Sequence, residues 1–360
     1  MKIIVFAGGV GTRLWPVSRK NTPKQFEKII GDKSTLQQTI ERLLPTFKAR
    51  DIFVATGKRY LEVVLEQLPQ IPKENFIFEP QMRDVGPAIG LAAAILSKKY
   101  PNEPIAILWS DHLVKNNDAF KKILFLAEES INKKQADFVF IAQKPRFANQ
   151  NMGWIEVGDM VKEEDNIYIH SFKKLFYRPK LSEAISFFES QHFAWNLGYF
   201  VTTPSYLSSL FQTFTPNLYE KLAQIAASYE TDNFEQVLET IYPSLQKISF
   251  DDAILVNMKP KNILVISSDL GWSDVGAWES LKEALAETTD ENVTKGKVLL
   301  EDSKDSLVFN YNDQLVVGID LEELLVINTG DVILVCPKTS VPKIKELVEG
   351  FAGTPHEHLA

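Results

Sequence analysis

One cysteine, Cys336, stands among 360 residues. A lone thiol excludes an intrachain disulfide and any cysteine-rich zinc pattern. It fits a reducing compartment and reads as a small buried apolar residue. Histidine is scarce too. His112, His170, His192, His356 and His358 show no metal-ligand spacing, and the last two lie in a tail expected to fray. Long apolar runs are missing. Ile3–Ala7 meets two glycines at once, so it is not a secretory leader, and the stretch around Pro87–Leu96 falls far short of the roughly 20 residues a membrane span needs. A cytoplasmic location without membrane contact is expected. Basic charge is in deficit: 39 Lys and Arg face 47 Asp and Glu, for a net charge of -8. That balance argues against a non-specific nucleic-acid binder. No serine or cysteine nucleophile with a base partner is apparent.

Hydrophobic residues make up 45% of the chain. That suffices for a large core, and the length suggests two domains or one large domain with an appendage. The first thirty residues run against the overall charge, with Lys2, Arg13, Arg19, Lys20, Lys24 and Lys28 opposed only by Glu27. A basic cluster in an acidic chain points to a small anionic ligand.

Short, wholly apolar segments at Ile3–Phe6, Ile52–Thr56, Phe76–Phe78, Ile105–Leu108 and Phe138–Ala142 read as strands. Helical patterns alternate with them. One opens at a Ser34/Gln37 capping box and runs to Leu44, one covers Lys58–Leu68, one runs from about Gly86 to Tyr100 with Pro87 in its first turn, and one ends near Ile131. The alternation predicts a Rossmann-like α/β domain, a mostly parallel sheet with helices on both faces and ligands beyond the carboxyl ends of its strands. The Gly8 segment and Asp111 both follow such strands. The region from about 152 to 258 mixes short strands and helices and reads as an inserted lobe. After Asn292, strand-like segments recur about every nine residues, near Val298, Val308, Val316, Val326 and Leu334. Turn formers separate them, as in a small β-solenoid or barrel, with a final helix Val341–Gly350. The division expected is 1–290 and 291–360.

Gly8, Gly9 and Gly11 follow the first strand, Thr12 adds a hydroxyl, and Arg13 adds a fork of donors. Such a turn brings backbone N–H groups close to a phosphate, and Lys24 can return to the same anion. The string is neither GxGxxG nor GxxxxGK[ST]. Taken whole, FAGGVGTRLWPVSRKNTPKQF resembles the signature of the nucleotide-sugar pyrophosphorylases. Trp15 and the Pro23-Lys24-Gln25-Phe26 tail are most similar to the mannose-1-phosphate guanylyltransferase branch of that family. The resemblance implies that the loop wraps the nucleotide phosphates, while Arg13 and Lys24 stabilise the pyrophosphate leaving group.

Other strings extend the resemblance nearly end to end. Glu79-Pro80 and Arg83-Asp84-Val85-Gly86-Pro87-Ala88 resemble E-P…R-N-T-A-P-A, which in the family faces the guanosine. Asp84 departs from asparagine there. Its carboxylate could accept from guanine N–H groups, or simply complement a helix N-terminus. Ser110-Asp111-His112 resembles P-S-D-H with Trp109 for proline, and Gly271-Trp272-Ser273-Asp274-Val275-Gly276-Ala277-Trp278 resembles G-W-S-D-V-G-x-W. By resemblance, Asp111 and Asp274 together hold a catalytic Mg²⁺, a hard cation suited to two carboxylates. Gly153-Trp154-Ile155-Glu156 and Trp195-Asn196-Leu197-Gly198-Tyr199-Phe200 resemble segments in which Gly153, Glu156 and Asn196 would face the sugar. Tyr177-Arg178-Pro179 stands where the family has E-K-P, so Arg178 would take the sugar phosphate. Ser249-Phe250-Asp251-Asp252-Ala253 resembles S-x-D-x-A, followed by Val256 and Asn257 in place of a glutamate-lysine pair.

The resemblance therefore implies a short, single-function enzyme making GDP-mannose and pyrophosphate from GTP and mannose 1-phosphate, with Mg²⁺. It also implies a C-terminal left-handed β-helix supporting a homodimer, and no isomerase domain. Two alternatives stand beside it. One is another sugar-1-phosphate nucleotidyltransferase, such as glucose 1-phosphate with UTP or dTTP. The other, motivated by the substitutions at 84, 85, 177, 178, 197 and 256, is a non-catalytic nucleotide-sugar-binding regulator.

Overall fold

The computed structural model describes residues 1–9 and 11–360. They form two compact units. The first comprises 1–7, 42–109 and 116–270, and the second 8–41, 110–115 and 271–360.

The first unit is built on nine strands: β1 (Lys2–Ala7), β2 (Ile52–Gly57), β3 (Phe76–Glu79), β4 (Ile105–Trp109), β5 (Phe138–Gln143), β6 (Gly153–Glu164), β7 (Ile167–Tyr177), β8 (Phe193–Thr202) and β9 (Ile263–Ser268). Their order is β3-β2-β1-β4-β8-β5-β9-β7-β6. From β3 to β4 all neighbours are parallel, and β5 is parallel to β9. The apolar runs expected as strands form this parallel part, buried on both faces as such runs require. β8 reverses against both β4 and β5. β6 and β7 form a long antiparallel hairpin, closed by Asp165 and Asn166, both at positive φ. A two-residue turn of that kind matches the twist of paired strands. The strands of the 152–258 region thus belong to the main sheet, β8 in its interior and β7 and β6 at one edge.

Helix Val85–Lys99 packs its buried Ala88, Ile89, Ala92 and Leu96 into a core shared with Ile4, Phe6, Ile107, Phe138, Phe140 and Phe200, on one face of the sheet. Helix Asn117–Asn132 covers the other. Its Phe120 meets Tyr199, which the pleat directs opposite to Phe200. The Ser34/Gln37 capping box is formed: Gln37 N–H donates to Ser34 Oγ at 3.2 Å, and Ser34 N–H to Gln37 Oε1 at 3.0 Å.

The second unit carries β10 (Val293–Lys295), β11 (Val298–Glu301), β12 (Leu307–Asn310), β13 (Val316–Ile319), β14 (Leu324–Asn328) and β15 (Ile333–Pro337). The nine-residue spacing resolves into coils of twice that length. Leu307 pairs in parallel with Leu325 and Val298 with Val316, each one coil on. Asn328 Nδ2 donates to Asn310 Oδ1 at 3.0 Å, and Leu324 N–H to Ser306 Oγ at 3.1 Å. Polar side chains thereby bond between coils, as in a β-solenoid. β15 turns back antiparallel to β14, and helix Pro342–Glu349 follows. Leu307, Phe309, Leu325 and Ile327 share a core with Leu14, Trp15, Val275 and Trp278.

Candidate functional site

In the second unit the chain leaves β1 through Gly8 and Gly9, and Gly11 sits at φ 66°. A Cβ on Gly11 would lie 3.0 Å from both Lys24 Cγ and Ser18 Oγ. The position needs glycine for its conformation and for the close passage of Lys24. A single turn, Thr12–Leu14, follows, and Leu14 and Trp15 are buried beneath it. Trp15 is tied at both ends: its Nε1 donates to Leu359 O at 2.7 Å, and its carbonyl accepts from Trp278 Nε1 at 2.9 Å. Arg13, by contrast, is exposed.

Lys24 is buried. Its Nζ lies 2.9 Å from Asp111 Oδ2 and donates to the carbonyls of Val275 at 3.2 Å and Asp274 at 3.4 Å. One ammonium therefore joins three segments that are far apart in sequence. The 110–115 and 271–276 segments are stitched by a two-way backbone bridge between Leu113 and Ser273. Trp272 Nε1 donates to His112 Nδ1 at 3.1 Å, which turns the other ring nitrogen, Nε2, to within 3.8 Å of Asp111 Oδ1. Burial pushes the Asp111 carboxyl up, but Lys24 and His112 outweigh it and hold the group below its usual range. Asp274 Oδ1 accepts from Gly276 N–H at 3.3 Å. The space above Gly276 Cα is shared, since a Cβ there would lie 3.1 Å from both Arg13 Nη2 and Asp274 Oδ2. Arg13, Lys24, Asp111 and Asp274 are thus brought together.

Two further side chains belong to this group. Gln25, fully buried, donates through Nε2 to Gly8 O and so sets the direction of the first peptide of the loop. Glu279 follows Trp278. Burial pushes its carboxyl up, Arg13 opposes that and Asp274 adds to it. Sequence reasoning passed over both. Gln25 was visible only as a letter in the signature tail, and Glu279 as an ordinary first-turn acid. Among the described residues no three His, Cys, Asp or Glu side chains cluster as metal ligands. Asp111 and Asp274 nevertheless fit a hard cation that completes its shell from phosphate and water, and Asp111 already holds a cation, the Lys24 ammonium.

The remaining predicted residues lie in the first unit. Glu79 is half-buried, and its Oε2 accepts from the Tyr242 hydroxyl at 2.5 Å. Burial pushes the carboxyl up to about 7, the tyrosine bond opposing. Tyr242 had carried no expectation, because a contact spanning 163 positions leaves no local trace. Arg83 Nη2 donates to Gln81 Oε1 at 3.1 Å. Asp84, at φ 71°, caps helix Val85–Lys99, its Oδ1 accepting from Val85 N–H at 2.7 Å. Of the two roles open to that carboxylate, the helix-terminal one is realised. Gly86 N–H donates to Ile248 O at 2.9 Å, and a Cβ at Gly86 would come within 2.7 Å of that oxygen. Close backbone approach accounts for this glycine.

Register brings the sugar-end strings together. Gly153 on β6 lies opposite Tyr177 on β7 and Asn196 on β8. Asn196 Oδ1 accepts from Gly198 N–H at 3.0 Å, and its Nδ2 donates to Asp251 Oδ1 at 3.2 Å. Trp109, which replaces a proline of the family pattern, donates through Nε1 to Gly198 O at 3.1 Å. Arg178, at φ 49°, stacks its guanidinium over the Tyr177 ring at 5.0 Å. Glu156 does not join this group. The pleat sends it with Trp154 to the opposite face of the sheet, opposite Phe193, where it pairs with Lys173 at 3.5 Å. The expectation that Gly153 and Glu156 face one ligand together is corrected by that alternation.

Comparison with known proteins divides the chain differently from the two compact units. Residues 2–291 match the nucleotidyl transferase family model, and residues 296–351 match a model described as the MannoseP isomerase/GMP-like beta-helix domain. A mannose-1-phosphate guanylyltransferase of Escherichia coli strain K12 is 31% identical over 362 residues, covering 99% of this chain and 74% of the relative. Mannose-1-phosphate guanylyltransferase 2 of Escherichia coli O157:H7 is 31% identical over 354 residues, covering 96% and 72%. A crystal structure described as mannose-1-phosphate geranyltransferase from Thermus thermophilus superposes with a TM-score of 0.85 at 27% identity, covering 97% of this chain and 98% of that one. No helix among the described residues is long and apolar enough to cross a membrane.

Proposed function

The chain belongs to the nucleotidyl transferase family, and we propose that it forms GDP-mannose and pyrophosphate from GTP and mannose 1-phosphate. The observation that carries this reading is the meeting of Lys24, Asp111, Asp274 and Arg13 around a glycine loop. A phosphate oxygen of the sugar 1-phosphate attacks the α-phosphorus of GTP. The bond from that phosphorus to the β-bridging oxygen breaks, and pyrophosphate leaves with the electron pair. Both reactants are anions, so charge neutralisation and alignment supply most of the acceleration.

Arg13 and Lys24 neutralise the leaving pyrophosphate, and the loop N–H groups orient the nucleotide phosphates. Arg178 takes the phosphate of the sugar phosphate as a fork of donors. Asp111 and Asp274 would hold Mg²⁺, whose contribution is Lewis-acid charge neutralisation at phosphate oxygens. Lys24 would then turn from Asp111 to phosphate, a short swing for a flexible side chain.

A homodimer and a cytoplasmic location belong to the same proposal. Support for self-association comes from Leu299 on β11, Val317 and Ile319 on β13, and Leu315 just before β13, which expose apolar surface. Pyrophosphate release, measured with GTP, UTP, dTTP and ATP against mannose and glucose 1-phosphates, tests the reading. GTP with mannose 1-phosphate is expected to be the preferred pair. Binding of GDP-mannose without release from any pair would favour a regulator.

A further inference from the structure

Ser249-Phe250-Asp251-Asp252-Ala253 forms a single helical turn held from two sides. Ser249 Oγ accepts from Asp252 N–H at 3.0 Å and bonds Asp252 Oδ2 at 2.6 Å. Phe250 is buried against Phe200, ring centroids 5.2 Å apart, and against Phe211 at 5.9 Å. Asp251 therefore stands on a fixed platform. Its Oδ1 meets Asn196 Nδ2, and Asn196 is fixed in turn by Gly198 N–H and by the Trp109 indole that pins Gly198. The carboxylate is thus held on the side of the sheet where Gly153, Tyr177 and Asn196 line up, all within the first unit.

What this carboxylate lacks is a cation. Among the described residues none lies within ion-pair distance, although Arg178 is near enough to oppose the effect of burial. Burial pushes the group up to about 6, and Asp252 adds to the shift. A carboxylate kept in such a place, without a cation and with Asn196 as its side-chain donor, is an acceptor awaiting a donor. The chemistry that fits is a hydroxyl. A phosphate would be repelled. Glu156 cannot serve, since it lies on the other face.

We infer that Asp251 determines sugar specificity, its carboxylate accepting a hydrogen bond from one ring hydroxyl of the sugar 1-phosphate beside the Asn196 amide. The inference rests on the activity proposed above and adds a residue for which that proposal has no role.

The test is a coupling measurement on the full chain. Values of kcat/KM are determined for mannose 1-phosphate and its 2-, 3-, 4- and 6-deoxy analogues, with wild type, Asp251→Ala and the isosteric Asp251→Asn. In the wild type, removing the recognised hydroxyl costs roughly 10- to 100-fold, as expected for a hydrogen bond to a charged acceptor. In Asp251→Ala that particular penalty disappears, and in Asp251→Asn it shrinks, while KM for GTP stays within about threefold. A merely structural role gives a different pattern, in which both variants slow all five substrates alike and every deoxy penalty survives. That result overturns the inference. Should the wild type turn over no sugar 1-phosphate, the underlying activity falls first and the inference falls with it. The two failures are therefore distinguishable.

Discussion

Lys24 Nζ lies 2.9 Å from Asp111 Oδ2. The residue expected to grip pyrophosphate and the residue expected to hold a metal are thus partners of each other. The pair keeps both charges compensated when no phosphate is bound. Asp111→Asn should lower nucleotidyl transfer at least about 100-fold, in the range found when one electrostatic contact to a developing charge is lost. Lys24 keeps the carbonyls of Asp274 and Val275, so the thermal midpoint should move by only a few degrees. Wild-type turnover in Asp111→Asn would contradict the assignment.

Glu79 and Tyr242 offer a pH test of the first unit. Burial raises the Glu79 carboxyl to about 7, so the folded protein binds this proton more tightly than the unfolded chain does. The stabilisation is complete below the unfolded value near 4.3 and is lost as pH rises through about 7. Glu79→Gln keeps an acceptor for the Tyr242 hydroxyl and removes the titration. The melting temperature of Glu79→Gln, relative to wild type, is expected to rise between pH 5 and pH 8. A difference independent of pH would show that Glu79 is ionised throughout.

Asp305 clamps the solenoid. It bonds the ammonium groups of Lys282, which is 2% exposed, and Lys338. Asp305→Ala strands a buried lysine charge and should destabilise the protein by about 3–5 kcal/mol, seen as a lower urea midpoint. Burial pushes the Asp305 carboxyl up, but the two lysines outweigh it and hold the carboxyl low. Its contribution is present above the unfolded value near 3.9 and fades as pH falls through the lower folded value. A loss below about 1 kcal/mol would mean that the charges find water.

The parallel strands were legible because each is an unbroken apolar run bounded by breakers, and nothing but a doubly buried strand suits that pattern. β6 and β7 were not. The second half of β6 is exposed and largely charged, so neither period nor apolarity marks it. β7 buries Ile167, Ile169 and Phe172, an alternation too short to stand out without its partner, and the Asp165-Asn166 turn is the local signal of the hairpin. The solenoid was readable as rungs but not as coils, since the Asn310–Asn328 bond lies two rungs apart. At the candidate site, Arg13, Lys24, Asp111 and Asp274 each carry a local string. Gln25, Tyr242, Glu279 and Asp251 take their meaning from partners far away in the chain. Glu156 shows the converse: a local string named it, and the pleat turned it away.

Running the reaction backwards tests whether Lys24, Asp111 and Asp274 form a guanylyl-transfer site. Wild-type protein is incubated with GDP-mannose, isotopically labelled pyrophosphate and Mg²⁺, and labelled GTP is measured beside Asp111→Asn and Asp274→Ala. Labelled GTP is expected from the wild type, faster with GDP-mannose than with UDP-glucose, and at least about 100-fold less from either variant. Labelled GTP from the variants at the wild-type rate, or none from the wild type while GDP-mannose still binds, would contradict that assignment.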